Sequence, residues 1–270
     1  FGCTVPAVLG TRTLENEKDK KLTILITPFM SCSAKMPVYA LFISTFFAKS
    51  QTLVIFSIYI LGVIVAILTA LLFKGTLLKG EPAPFVMELP PYRVPTLKSL
   101  WLHVWERIKD FLTKAGTVLL SATIVIWFLQ TFDFSFNIVT DSSKSILAQI
   151  GTLIAPIFTL CGFGNWQSSV SLLSGLIAKE SVISTMAVLY NAGSGAALST
   201  NLLYVFSPLS AYAFMVFVLL YTPCVAALSA IYKEMHSIKW TCITVFYQLA
   251  VAWFASAMVF QFGSLIMHFV

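Results

Sequence analysis

Three of the five cysteines stand close to prolines, in segments that are otherwise mostly apolar. The pairs are Cys3 with Pro6, Cys32 with Pro28, and Cys224 with Pro223. Thiolates are ligands for soft and borderline metals such as Cu(I), Zn and Fe(II), and proline interrupts a helix and frees backbone carbonyl groups. Because transporters place ion sites at broken helices, this pattern predicts a metal-ion path. The competing interpretation is that each cysteine is a small buried hydrophobic residue.

The same three cysteines are predicted to share one depth in a membrane. In a continuous helix that rises about 1.5 Å per residue, each lies roughly 14–15 Å from the nearest charged loop. That distance is about half of a hydrocarbon core of about 30 Å, so the three thiols are expected near the midplane. Cys161 and Cys242 are expected nearer the membrane edges.

Lys179 and Glu180 are unusual because they lie within an apolar segment. A charged side chain at mid-span costs about 2.5–3.5 kcal/mol or more, so it normally faces a cavity or a partner. Adjacent helix positions point about 100° apart, so these two side chains cannot simply pair with each other. Glu180 is predicted to ligate or attract a cation, and Lys179 to balance its charge or to pair with another carboxylate. The alternative is that Lys179 and Glu180 form structural buried pairs with other residues.

Lys35 is a third charged residue within an apolar segment. Its long side chain is predicted to extend toward the outer face of the membrane.

The elements that hold these residues are predicted to be transmembrane helices of an all-α bundle. Hydrophobic residues make up 58% of the 270-residue chain and charged residues 10%, whereas a soluble domain carries about 25% charged residues. A spanning helix needs about 20 apolar residues. Seven candidate spans follow a half-helix at the N-terminus, at about 22–48, 53–73, 115–131, 147–163, 170–190, 206–231 and 239–262.

Charged loops orient these helices. If the loop at 10–21 is cytoplasmic and the spans alternate, thirteen of the 17 Lys and Arg residues lie inside and two lie outside. This bias is typical of membrane proteins and accounts for the net charge of +6 without a nucleic acid partner. The chain is expected to divide into the end of a first membrane unit (1–80), a proline-rich linker with a cytoplasmic amphipathic helix (81–114), and a second membrane unit (115–270).

No enzyme motif stands out in the sequence. GxxxxGK[ST], HExxH and GxSxG are absent, and the three histidines do not cluster. The cysteines form no CxxC pair, so neither a zinc ribbon nor a disulfide scaffold is indicated. The segments at 5–25 and 222–244 are weakly similar, as in transporters that are built from repeats. The residues alone therefore favour a transport protein over an enzyme.

Several motifs resemble those of the ferrous iron transport protein B family. They are GCTVPA, TRTLEN and PFMSCSAKMPVYA in the N-terminal part, then NWQSSVSLLSGLIAKESVISTM and YTPCVAAL. The resemblance covers nearly the whole chain and implies ferrous iron import by a multi-pass protein of the bacterial inner membrane. The iron ligands that it implies are Cys3, Cys32, Cys224 and Glu180. The further residues of the path are Lys179, Pro6, Pro223 and Ser31.

The resemblance also implies parts that this sequence does not hold. The family carries an N-terminal GTPase domain and further membrane helices, so we expect a C-terminal membrane region that is gated by GTP through another domain and has no enzyme activity of its own. Expected partners are the lipid bilayer, Fe²⁺, that N-terminal part and further copies of the chain. Two alternatives remain open. One is a nucleoside or organic-solute carrier with a similar helical plan, and the other is a membrane scaffold that transports nothing.

Overall fold

A computed structural model of the chain describes residues 2–76, 96–133, 137, 145–190, 192 and 195–269. The described part is helical and holds no β-strand. Its α-helices, from α1 to α12, are Thr4–Gly10, Glu17–Ile26, Met36–Phe46, Gln51–Gly75, Leu97–Thr131, Ile146–Ile154, Trp166–Ile177, Ser181–Leu189, Gly195–Val205, Pro208–Leu220, Val225–Met235 and Ile238–Phe269. Short 3-10 turns cover Thr11–Thr13, Thr27–Phe29, Ser33–Lys35 and Ala155–Cys161. The prolines of the predicted linker lie outside the described residues.

Several helical stretches are long and apolar enough to cross a bilayer. Within the described residues, the continuous candidates are Glu17–Phe46, Gln51–Gly75, Pro208–Met235 and Ile238–Met267. One further candidate is the pair Ile146–Cys161 and Trp166–Ile177, which is bent by 102°. The all-α membrane bundle is therefore confirmed, whereas the predicted count of seven spans is not.

The bend between α6 and α7 depends on Gly162. This residue has a φ of 83°, in the left-handed region that glycine adopts without steric cost. A Cβ at this position would also overlap the ring of Phe260 on α12. Asn165 then caps α7, because its side chain accepts a hydrogen bond from the backbone N–H of Ser168 at 2.7 Å. The chain thus turns by 102° where the sequence predicted the end of one span and the start of another.

The predicted span at 170–190 is in fact two helices, α7 and α8, with a break between them at 178–180. Ser181 accounts for this break. Its hydroxyl donates to the carbonyl groups of Ala178 at 2.7 Å and Ser174 at 2.9 Å, and so competes with the backbone pairing of a continuous helix. Polar residues in this apolar segment therefore mark a helix interruption, which hydropathy alone does not reveal.

The predicted cytoplasmic amphipathic helix and the span after it form one continuous helix, α5. The sequence between them offers only Gly116 as a weak helix breaker. Near the start of α5, Trp101 and Trp105 are 70% and 54% exposed, and their rings stack with centroids 6.4 Å apart. Exposed tryptophans suit a membrane interface, where their amphipathic rings settle. The predicted boundary near residue 114 thus falls within a continuous helix, and the division of the chain into membrane units stays a prediction.

Helix α10 is the central helix of the larger hydrophobic core. It packs against α3, α4 and α12, and most of its side chains are buried on every face. The ring of Phe214 lies 5.0 Å from that of Phe42 and 5.2 Å from that of Phe163, measured between centroids. A helix that is apolar all round belongs in the middle of a bundle. Its C-terminal end consequently holds the next segment, 221–224, deep in the protein.

Helices α1 and α11 pack side by side in a second, smaller core. Val5 and Val8 of α1 lie in the same buried cluster as Ala227 and Ile231 of α11. These helices belong to the two segments whose sequences are weakly similar, at 5–25 and 222–244. The pairing brings the N-terminal ends of both helices to one place, and each of those ends carries a cysteine.

Candidate functional site

A cavity of about 180 Å³ lies where several interrupted helices meet. Its lining includes every residue that the sequence predicted as an iron ligand, and two lysines. These residues are Cys3, Cys32, Cys224, Glu180, Lys35 and Lys179. Pro223 lines the same cavity, whereas Ser31 is buried next to Cys32 and Pro6 is exposed on α1. Residues from distant parts of the chain, including both predicted membrane units, therefore share one site.

Each predicted ligand stands immediately before a helical element. Cys3 precedes α1, Glu180 precedes α8 and Cys224 precedes α11. Cys32 precedes the 3-10 turn Ser33–Lys35, which leads directly into α3. The four side chains that could bind a metal ion therefore lie at breaks in the helical backbone, where backbone N–H groups have no partner within a helix.

The interruptions that expose these helix starts follow from local sequence. Around Pro28, the chain leaves the helix and runs extended through Met30 (φ −69°, ψ 141°) and Cys32 (φ −106°, ψ 159°). Around Pro223, it is extended at Tyr221 (φ −68°, ψ 164°) and Cys224 (φ −61°, ψ 159°). Proline lacks the N–H that a continuing helix needs, so the sequence indicates a helix break at each of these two prolines.

One backbone contact joins the first two cysteine segments. The N–H of Ser33 donates to the carbonyl oxygen of Gly2 at 3.0 Å. Because Gly2 and Ser33 adjoin Cys3 and Cys32, this bond keeps the two thiol-bearing segments side by side. Cys3 and Glu180 are exposed, whereas Cys32 and Cys224 are partly buried. The residues that line the cavity thus differ in their exposure.

Lys35 is buried, with 2% of its surface exposed. Its ammonium group donates to the carbonyl oxygens of Leu219 at 2.6 Å, and of Pro28 and Met30 at 3.3 Å each. The prediction that this side chain extends toward the outer face is therefore wrong. The interrupted helices leave carbonyl groups inside the protein without partners in their own helices, and the ammonium group of Lys35 binds them there.

Lys179 is 3% exposed, and its partners come from the end of α10. Its ammonium group donates to the carbonyl oxygen of Tyr221 at 3.3 Å and lies 3.7 Å from the centroid of the ring of the same residue. A cation over an aromatic face is attracted by the ring quadrupole. The structure thus gives Lys179 a carbonyl group and a ring as partners, where the sequence suggested a carboxylate.

The cavity gathers the predicted ligands without holding them at coordinating distances. In the part of the chain that the structure describes, no group of three or more His, Cys, Asp or Glu side chains is placed to hold a metal ion. The five cysteines are free thiols. A transported ion must also leave its site, so a loose arrangement is compatible with passage. The assignment of Cys3, Cys32, Cys224 and Glu180 as ligands stays a prediction.

A second charged cluster, which the sequence did not predict, joins the far ends of α1 and α11. Arg12 donates to the carboxylate of Glu234 through Nη2 at 2.6 Å and Nε at 2.7 Å, and the ammonium group of Lys20 lies 3.5 Å from it. The Glu234 side chain is only 4% exposed. The only signal in the sequence was the charged loop that follows each cysteine-bearing helix.

We expect Glu234→Gln to lower the free energy of unfolding by about 1–2 kcal/mol, because a buried charge-assisted bond is replaced by a neutral one. Arg12 is about half exposed and regains water, which limits the loss. Thermal unfolding in detergent would measure the effect. Glu15→Gln, which removes the same charge from an exposed position, is the control. Equal stability of the two variants would show that the cluster does not hold α1 and α11 together.

The sequence of this chain is similar to two known protein families and to several named proteins. Residues 55–107 match the family model described as "Ferrous iron transport protein B C terminus", and residues 112–238 match the one described as "Nucleoside recognition". A protein named "Fe(2+) transporter FeoB" from Staphylococcus aureus (strain MSSA476) is 44% identical over 265 residues, which cover 98% of this chain and 40% of the relative.

Similar proteins also occur in other organisms. Proteins of the same name from Methanocaldococcus jannaschii and Salmonella paratyphi A are 42% and 33% identical, over 98% and 99% of this chain. The chain spans 40% and 42% of their lengths. No solved structure matches the chain.

Proposed function

Because this chain belongs to the ferrous iron transport protein B family, we propose that it forms a path for ferrous iron through the bacterial inner membrane. The observation that carries the proposal is the convergence of three thiols and one carboxylate on a single cavity. Each of these groups stands at the start of a helical element, in segments that interrupt the apolar helices. Fe²⁺ is the cargo of this path and not a resident cofactor.

The proposed passage is a transient coordination of Fe²⁺ by thiolates and a carboxylate. Fe²⁺ is a borderline cation that accepts both sulfur and oxygen ligands. Among the proposed ligands, Cys3 and Glu180 are exposed, whereas Cys32 and Cys224 are partly buried. The sequence also suggested that freed carbonyl groups coordinate the ion. Lysine ammonium groups already bind those of Pro28, Met30, Leu219 and Tyr221. The side-chain ligands are therefore the ones that carry the proposal.

The other parts of the proposal concern how the path is controlled. Members of the family carry a GTPase domain, and we propose that such a domain gates this path through GTP. In that arrangement α1 and α11, which pack together and carry Cys3 and Cys224, are the elements that a gating signal would move. The Arg12–Glu234 contact ties the charged ends of these helices, so both thiols would move as one unit.

Anaerobic titration of the purified chain with Fe²⁺ tests the proposal. We expect an iron–thiolate absorbance band in the parent protein and its loss in a triple variant with Cys3→Ser, Cys32→Ser and Cys224→Ser. Cys242→Ser is the matched control, because Cys242 is exposed on α12 and does not line the cavity. A band that survives the triple substitution, or disappears in the control, would rule out these thiols as the ligands.

A further inference from the structure

The carbonyl groups at the interrupted helices share an unexpected kind of partner. The last carbonyl groups of a helix have no partner within that helix and need one in an apolar environment. Here the carbonyl groups of Pro28, Met30 and Leu219 accept hydrogen bonds from Lys35, and that of Tyr221 accepts one from Lys179. Two lysine side chains that line the cavity thus occupy these carbonyl groups, of which that of Pro28 belongs to a lining residue.

Such carbonyl groups are ordinarily binding sites for hard cations. Na⁺ and Ca²⁺ bind oxygen ligands, and transporters coordinate Na⁺ with carbonyl groups of unwound helices. A lysine ammonium group is a compact cation with three donors. Lys35 uses its ammonium group on three carbonyl oxygens that come from two different helical ends. It therefore fills a position that resembles the site of a small hard ion.

Two lysines in the chain share this arrangement, in which a lysine close to the start of one helix binds a carbonyl group at the end of α10. Lys35 follows Ala34 and immediately precedes α3, and Lys179 follows Ala178 and lies two residues before α8 begins. A positive charge is unfavourable at the start of a helix, because the helix dipole is positive there. Both side chains instead reach the carbonyl end of α10, at Leu219 and Tyr221. A repeated and locally unfavourable placement indicates a role beyond filling space.

We propose that Lys35 and Lys179 are specificity-determining residues that act as tethered cations. They occupy the carbonyl oxygens of the interrupted helices and so exclude hard metal ions from the cavity. The thiols and the carboxylate of the same cavity remain as ligands, and these select a borderline ion such as Fe²⁺. This inference rests on the proposed function, because it explains how the same cavity distinguishes ferrous iron from more abundant hard cations.

Lys179→Met is the most informative substitution. Lys179 makes one hydrogen bond to a carbonyl group where Lys35 makes three, so its loss disturbs the fold less. Tb³⁺ is a suitable probe, since it is a hard cation whose luminescence is sensitised by a nearby tyrosine, here Tyr221. We expect the variant in zwitterionic lipid nanodiscs to bind Tb³⁺ at least about tenfold more tightly than the parent, a change of about 1.4 kcal/mol.

Two further variants separate charge from general disturbance. Lys179→Arg keeps the positive charge and is expected to bind Tb³⁺ no better than the parent. Lys239→Met removes a positive charge from an exposed position on α12 and is expected to leave Tb³⁺ affinity unchanged. A folded Lys179→Met protein that gains no Tb³⁺ affinity over Lys239→Met would overturn the inference.

A measurement on the parent protein tests the exclusion of hard cations even if Lys179→Met does not fold. Fe²⁺ affinity of the parent is expected to stay constant when Na⁺ or Ca²⁺ is added in excess at constant ionic strength. Displacement of Fe²⁺ by either ion would show that hard cations enter the cavity despite the lysines, and would refute the inference. If the parent binds no Fe²⁺ at all, the proposed function fails instead, so the two failures are distinguishable.

Discussion

Replacing Cys3 and Cys224 together by serine is expected to reduce Fe²⁺ uptake at least about a hundredfold, or about tenfold for each thiol, as a loss of about 1.4 kcal/mol per contact would give. The two residues precede helices that pack together, and both line the same cavity. Serine preserves the size and the start of each helix but supplies a hydroxyl group, which is a much weaker ligand for Fe²⁺ than a thiolate. Uptake of radioactive Fe²⁺ under reducing conditions in proteoliposomes would measure the effect.

Cys242→Ser is the control for this experiment, because it makes the same chemical change outside the cavity. Its uptake is expected to equal that of the parent. Undiminished uptake by the double variant would exclude a thiolate path. Transport of an organic solute that depends on neither cysteine nor metal would support the carrier alternative, and the absence of any flux in the parent would support the scaffold alternative.

Lys35→Met is expected to cause the largest loss of stability among single substitutions at the cavity. Methionine has a similar length but no donor, so the carbonyl groups of Pro28, Met30 and Leu219 lose their bonds to a buried ammonium group. Each buried acceptor left without a partner costs about 1–3 kcal/mol, so we expect the free energy of unfolding to fall by about 3 kcal/mol or more. Unfolding of the purified protein in detergent, followed by circular dichroism, would measure this.

The lysine substitutions should rank in a defined order. Lys179→Met removes a hydrogen bond to one carbonyl group and a contact with an aromatic ring, so its effect is expected to be smaller than that of Lys35→Met. Lys49→Met, at an exposed turn before α4, is expected to have almost no effect. If Lys35→Met were as stable as Lys49→Met, the three carbonyl groups would have found other partners, and Lys35 would not be essential to the fold.

Local features of the sequence were sufficient to predict the helical membrane bundle and to name residues that line one cavity. Apolar length indicates spanning helices, because a bilayer imposes both their length and their backbone pairing. Proline beside Cys32 and Cys224 indicates interrupted helices, because proline removes a backbone donor. Distance along the chain from charged loops predicted one depth for the three cysteines. The structure brings them to one cavity, and their role as iron ligands stays a prediction.

The partners of the charged residues depend on the tertiary structure. Lys35 bonds to Leu219, 184 positions away, and Arg12 bonds to Glu234, 222 positions away. No local pattern reveals such pairs, because backbone carbonyl groups are the same at every residue and only the packing of the helices decides which of them is nearby. The sequence therefore predicted that the Lys35 side chain extends toward the membrane surface. In the structure this side chain is buried within the protein.

The path of the chain through the membrane also depends on the packed structure. A continuous spanning helix and an interrupted one have the same apolar composition, so the sequence predicted spans at 147–163 and 170–190. The break at 178–180, where the hydroxyl group of Ser181 bonds to carbonyl groups, divides the second of these predicted spans into two helices, and the chain bends by 102° between α6 and α7. What the sequence determined is the kind of environment that each residue needs. Which residues meet in that environment was decided by the close packing of helices around α10.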